Sequence, residues 1–167
     1  MLETIMNRRS IRKYLDQPVE EEKIRLLLKA ASYAPSAQNC QPWHFLLCDD
    51  RAKLDAFRAI HPYSTMLQQA PLMILVCGDK ARQAGEWFYL EDCAAATQNI
   101  LLAAEEMGLG TCWLGLPPCS QRQADIKKLF ELPDSIEPFC GIAVGYPQQK
   151  ADRPQRDLEG KIHYNVW

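Results

Sequence analysis

Between Gly85 and Met107 the chain reads GEWFYLEDCAAATQNILLAAEEM, with no glycine or proline inside it. A run of this length, rich in Ala, Leu and Glu, predicts the longest helix of the molecule. Leu90, Ala94, Thr97, Leu101 and Ala104 recur on one stripe, so the helix is expected to be highly buried. Gly108 stands where a helix C-cap needs a left-handed residue. Whatever else the chain forms must enclose this rod.

The remaining segments supply the enclosure. Ile24, Leu27, Leu28 and Ala31 have the spacing of an amphipathic helix, which Pro18 precedes, the carboxylates of Glu20 to Glu22 favour at its first turn, and Pro35 ends. HFLLC (44–48) and LMILVC (72–77) are short apolar runs suited to buried strands, with RAKLDAFRAI a short helix between them. TCWLG predicts another strand, SQRQADIKKLFEL a helix and CGIAVGY a last buried strand. Strands alternate with helices, without internal repeats or long linkers, which suggests an α/β sandwich whose central helix supports the sheet. The tail from Lys150 to Trp167, ending in HYNVW, reads as extended and as a segment that packs on another chain.

A chain of 167 residues suffices for one domain with a buried core. Its formal charge of −2 argues against a general nucleic-acid binder, which neutralises phosphates with many Lys and Arg together. No stretch approaches the roughly 20 apolar residues of a membrane span, and the N-terminus lacks the apolar heart of a signal peptide, so a cytoplasmic location is expected. Seven cysteines form no C-x-x-C pair, and several sit in apolar runs; they read as reduced core residues. His44, His61 and His163 have no zinc-ligand spacing, so no metal is expected.

Four features carry possible chemistry. From Arg8 to Lys13 four of six residues are basic, with Ser10 among them. Forked arginine donors and a short hydroxyl suit a monophosphate, although a solvated basic face would read the same way. APSAQNCQPW (34–43) offers Ser36, Gln38, Asn39 and Gln41 as donors and acceptors for the edge of a flat heteroaromatic ring, or simply as turn and capping groups. Trp43 reads as core. GLGTCWLG (108–115) lacks the third glycine of a dinucleotide fingerprint and follows a helix, so Gly115 is taken as a place where backbone approaches a ligand. Arg153 and Arg156 can complete a phosphate site if the tail folds back. Hydrolytic machinery is not visible, which fits an enzyme whose cofactor carries the chemistry.

In order and spacing, RRSIRKY, APSAQNCQPWHF, GLGTCWLG and the closing AVGYP with R-x-x-R and HYNVW resemble the nitroreductase family, over essentially the whole chain. The resemblance implies one nitroreductase-like domain over residues 1–167. Its fold would be an α+β, three-layer α/β/α sandwich with a mixed, mostly antiparallel sheet, a long central helix and a C-terminal tail exchanged across a homodimer. It implies FMN at the subunit interface, held by both chains. Carried over, Arg8, Arg9, Ser10 and Arg12, with Arg153 and Arg156, correspond to the phosphate, ribityl and ring contacts. Pro35, Ser36, Ala37, Gln38 and Asn39 correspond to the loop that borders the flavin from the partner subunit, and Leu114 and Gly115 to backbone near the ring's N5. The implied activity is ping-pong transfer of hydride from NADH or NADPH to small acceptors such as nitroaromatics, quinones or flavins, with Arg12 as the residue that tunes the flavin. Outside that activity stand a protein that stores or senses FMN, and a thiol-based redox protein using Cys40, which has no evident resolving partner.

Overall fold

The computed structural model describes residues 1–148 and 151–167. In chain order the elements are α1 (Leu2–Asn7), α2 (Glu21–Ser32), β1 (Trp43–Cys48), α3 (Arg51–Ile60), β2 (Leu72–Asp79), α4 (Phe88–Glu106), β3 (Gly110–Gly115), α5 (Gln121–Leu129) and β4 (Ile136–Gly145). Short 3-10 turns lie at Ala37–Asn39 and Thr65–Gln68. The strands form one sheet in the order β1-β2-β4-β3.

Every strand pair in that sheet is antiparallel. The expected admixture of parallel pairing is reduced to a single isolated bridge, Ser10 to Thr111. The overall α+β, three-layer arrangement is as expected, and side-chain alternation explains it. Leu72, Ile74 and Val76 of β2, with Cys140, Ile142 and Val144 of β4, enter a core with Leu27 of α2 and Cys93, Ala96 and Ile100 of α4. Met73, Leu75 and Cys77, with Ala143, enter a second core with Leu54 and Phe57 of α3 and Ile126 of α5. A strand that is apolar on both faces must be covered on both faces.

Helix α4 is the longest and largely buried, as its sequence predicts, and Thr97, Leu101 and Ala104 of the expected stripe are buried, but the buried surface extends beyond that stripe. Tyr89, Cys93, Ala96, Ile100 and Ala104 are buried, whereas Leu90 and Ala94 are half-buried. The sheet lies on one side of α4 and α2 on another, so the buried arc is wider than one stripe. The helix also begins only at Phe88, because Trp87 adopts φ 71°. At its other end Gly108 takes φ 72°; its N–H donates to the Glu105 C=O (3.1 Å) and the Leu109 N–H to the Ala104 C=O (2.8 Å). This is the double closure of a Schellman cap. Asp50 and Ser120 cap α3 and α5 by accepting from the Lys53 and Gln123 amides.

Strand β4 starts at Ile136, earlier than the apolar run suggests, because Pro138 is accommodated opposite Cys77 where the register with β2 shifts. Helix α1 has no counterpart in the sequence reading. Trp43 is core, and all seven cysteines are free thiols; Cys40 is half-buried and Cys119 exposed, and the other five are buried. Burial pushes the Cys77 thiol up to about 12, which removes it from thiolate chemistry. Among the described residues no helix is long and apolar enough to cross a membrane. The tail reading begins at Lys150, which lies outside the described residues; from Ala151 onward the chain has neither helix nor strand, and Leu158, Ile162, Tyr164, Val166 and Trp167 are exposed.

A Cβ on Gly108 would meet nothing within 4 Å, so a substitution there tests the backbone alone. Gly108→Ala is expected to lower unfolding free energy by about 1–2 kcal/mol. Urea titration with an unchanged m-value is the check.

Candidate functional site

The N-terminal arm is fastened to the sheet edge. Ser10 bridges Thr111 of β3, the Ile11 N–H donates to the Thr111 C=O (2.8 Å), and Tyr14 bridges Pro147. Ile11 and Tyr14 are buried, and the Tyr14 hydroxyl donates to the Ile11 C=O (2.8 Å). Close approach requires Gly110, because a Cβ there would stand 2.8 Å from three Ile11 atoms. With Ile11 turned inward, Ser10 and Arg12 face outward. Arg8 and Arg12 are four residues apart, at most about 14 Å along an extended backbone.

Each end of this arm meets a cavity. Arg8 and Arg9 line one of about 1060 Å³ together with Ile5 and Met6 of α1, Gln98 of α4, and tail residues 153–157, which include Arg153 and Arg156. The tail therefore does fold back, and four arginines from opposite ends of the chain face one space. Arg9 is the best anchored of them. Its Nε donates to the Asp152 C=O (2.9 Å), its Nη2 to the Met6 C=O (2.6 Å) and its Nη1 to the Arg8 C=O. Arg153 reaches Glu3 of α1 at 3.3 Å. Among the described residues Arg8, Arg12 and Arg156 make no ion pair. Their charge remains available to an anion.

Arg12 faces the second cavity, of about 520 Å³, with Leu114 and Gly115 from the end of β3 and the segment from His61 to Met66 after α3. Its Nη1 donates to the Ser10 C=O at 3.4 Å, a long bond. A Cβ on Gly115 would have nothing within 4 Å, so the backbone there is bare toward open space. Leu114 is buried and holds the strand end in the second core.

The loop of Pro35, Ser36, Ala37, Gln38 and Asn39 lines neither cavity. Gln38, Asn39 and Gln41 take φ of 50°, 56° and 49°, a left-handed cluster that side-chain contacts hold. Ser36 Oγ accepts from the Gln41 N–H (3.0 Å) and Gln41 Nε2 donates to Asn39 Oδ1 (2.8 Å). Thus one chain brings Arg8, Arg9, Arg153 and Arg156 to one cavity and Arg12, Leu114 and Gly115 to another, with Ser10 on the arm between them, and neither cavity is lined by the loop of 35–39.

Three residues of these features escape the sequence reading. Asp92 of α4 is buried; its Oδ1 accepts from the Ala37 N–H (2.9 Å), and its Oδ2 meets no donor among the described residues. Gln98 lines the arginine cavity. His61 lies beside Gly115, its Nε2 3.0 Å from the Gly115 C=O. An isolated polar residue in a helix or turn carries no motif, so only the folded chain reveals these positions.

Burial holds the His61 pKa below the ordinary imidazole range, with the Arg122 cation acting in the same direction. The ring therefore stays neutral at pH 7. A depressed folded-state pKa means the unfolded chain binds the extra proton first, so stability is lost as pH falls below about 6.5. NMR titration should find His61 titrating below free imidazole, and His61→Phe should lack this part of the acid-induced stability loss.

The nitroreductase family model matches residues 5–146. A Methanothermobacter thermautotrophicus protein named "Putative NADH dehydrogenase/NAD(P)H nitroreductase" is 43% identical, over 100% of this chain and 87% of that relative. A Bacteroides thetaiotaomicron protein of the same name has a crystal structure that superposes with TM-score 0.93 at 47% identity, covering 99% of this chain and 97% of the other. The structure of an FMN-dependent nitroreductase from Clostridium difficile superposes with TM-score 0.90 at 31% identity, over 100% of both chains.

Proposed function

The chain belongs to the nitroreductase family, and from that premise we propose that it is an FMN-dependent NAD(P)H oxidoreductase acting as one nitroreductase-like domain. The observation that carries the reading is the convergence of Arg8, Arg9, Arg153 and Arg156 on one cavity, while Arg12 and the bare Gly115 backbone stand at a second one on the same arm. A phosphate ester joined by a polar chain to a flat ring has the charge distribution such an arm fits.

When bound, FMN would supply the redox chemistry, that of a ping-pong carrier of electrons between NADH or NADPH and a small acceptor such as a nitroaromatic, a quinone or a free flavin. The protein's part is grip, orientation and charge. Arg8, Arg153 and Arg156 offer forked donors to the phosphate, and Ser10 a hydroxyl next to it. Arg9 has three donors committed to backbone carbonyls, so it contributes charge while tying tail to arm. Arg12 presents its cation at the ring end, where negative charge accumulates on reduction. Leu114 and Gly115, which line the same cavity as Arg12, would offer their backbone to the ring.

Pro35, Ser36, Ala37, Gln38 and Asn39 are assigned to the site of a second copy, as the loop that borders the ring from the partner subunit. Two features support a homodimer. The loop is held rigidly but lines neither cavity of its own chain, and the tail beyond Asp157 displays Leu158, Ile162, Tyr164, Val166 and Trp167 as an apolar strip suited to exchange. The measurement is sedimentation of purified protein, with twice the 19.1 kDa chain mass expected. A monomer that binds FMN fully would remove the shared site.

Anaerobic visible spectra test the activity. The protein loaded with FMN should be yellow, bleach with NADH or NADPH, and recover its colour with menadione or nitrofurazone. Failure to turn yellow with FMN would overturn the cofactor reading, and a yellow protein that neither nucleotide bleaches would point to storage or sensing. Arg12→Ala should weaken FMN binding by about 1.5–3 kcal/mol, the worth of a hydrogen bond to a charged group, and lower the flavin's reduction potential.

A further inference from the structure

At the ring end of the proposed site one buried side chain grips the bare backbone, and the chemistry above makes no use of it. His61 follows the last residue of α3, and its N–H closes the helix by donating to the Phe57 C=O (2.9 Å). Its imidazole stacks on Phe57, with ring centroids 5.6 Å apart and planes 13° from parallel. Phe57 is itself completely buried under the sheet, so the imidazole rests on a rigid support.

Hydrogen bonding fixes the tautomer. The Tyr63 N–H lies 3.3 Å from His61 Nδ1, and an amide N–H only donates, so Nδ1 carries the lone pair. The proton of the neutral ring is then on Nε2, which donates to the Gly115 C=O at 3.0 Å. The peptide group between Gly115 and Leu116 is held from its other side as well, by the Leu116 N–H donating to the Phe139 C=O (3.2 Å). Gly115 is the last paired residue of β3 and has no side chain to restrain its rotation. Those two bonds do the work that a side chain does elsewhere.

We infer that His61 is a positioning residue, whose Nε2–H bond to the Gly115 carbonyl sets the orientation of the backbone edge offered to the flavin ring. The inference rests on the FMN reading of the site. Gly115 is exposed, so water can take the place of the lost donor, and removal of the bond acts on orientation more than on stability. Small misplacements of a group that orients a reacting centre have large kinetic effects.

Two substitutions separate the roles. His61→Phe keeps a ring to stack on Phe57 but cannot donate, and His61→Gln can donate but cannot stack. Loaded with FMN, the Phe variant is expected to lose about 10- to 100-fold in kcat with little change in nucleotide KM or Tm, and to shift the absorption maximum of the bound flavin. The Gln variant should recover most of kcat and the wild-type spectrum. In the protein without cofactor, 15N NMR should find Nε2 protonated and Nδ1 bare. Wild-type kcat and spectrum in the Phe variant, equal impairment of both variants with lowered Tm, or an Nδ1-protonated ring would each overturn the inference. Failure of the wild-type protein to bind FMN would instead bring down the cofactor reading and this inference with it, an outcome the first titration reveals.

Discussion

The structure depends on a strand that water does not reach from either side. Leu72 to Cys77 are all buried, and their alternation sends three side chains into each of two cores. Burying an aliphatic side chain of this kind is worth about 1.5–3 kcal/mol, so exposing either face would forfeit several such contributions at once. Helices α2 and α4 therefore cover one face and α3 and α5 the other. Strand β3 is left as the sheet's outer edge beside β4, where unpaired backbone groups are available. The N-terminal arm takes the start of that edge through Ser10 and Ile11. In this way core packing decides where the arginines stand.

Electrostatics at the site are local and do not reflect the molecule's net charge, which is slightly negative. Four arginines gathered at one cavity repel one another, and the structure reduces that cost by giving some of them carbonyl and carboxylate partners. Arg9 faces three carbonyl oxygens and Arg153 meets Glu3, while Arg8 and Arg156 make no ion pair among the described residues. Anchored and unpaired cations thus share one opening. Arg12 stands apart from them, in a second cavity with Leu114 and Gly115.

Much of this was legible in the sequence because it rests on local pattern. The apolar periods of Leu27 and Ala31, the apolar runs of β1 and β2, the glycine after α4 and the basic arm are all readable over a few residues, although β1, at the sheet edge, is not the buried strand expected, with His44 and Leu47 exposed and Phe45 and Leu46 half-buried. What escaped was set by tertiary contact. The buried arc of α4 widened to take in Tyr89, Cys93 and Ile100 beside Thr97, Leu101 and Ala104, because two neighbours share the helix. Strand β4 reached back through Pro138 because a register shift accommodates a residue without an N–H. Asp92 and His61 acquire meaning only through Ala37 and Gly115, which lie 55 and 54 residues away along the chain. The loop of 35–39 was recognised by its residues, yet a single chain leaves it away from the arginines.

The bond from Arg9 to the Asp152 carbonyl joins residues 143 positions apart. Such a contact closes almost the entire chain into a ring, and no helix or strand reinforces the tail that carries it. During folding it belongs to the last events, after the sheet and its helices have assembled around β2. In the native ensemble it belongs to the first openings, since it involves exposed groups and little apolar burial. Opening of the arginine cavity and loss of the fold are therefore two transitions of different free energy. The molecule can open that cavity, and close it again, while the β2 core remains intact.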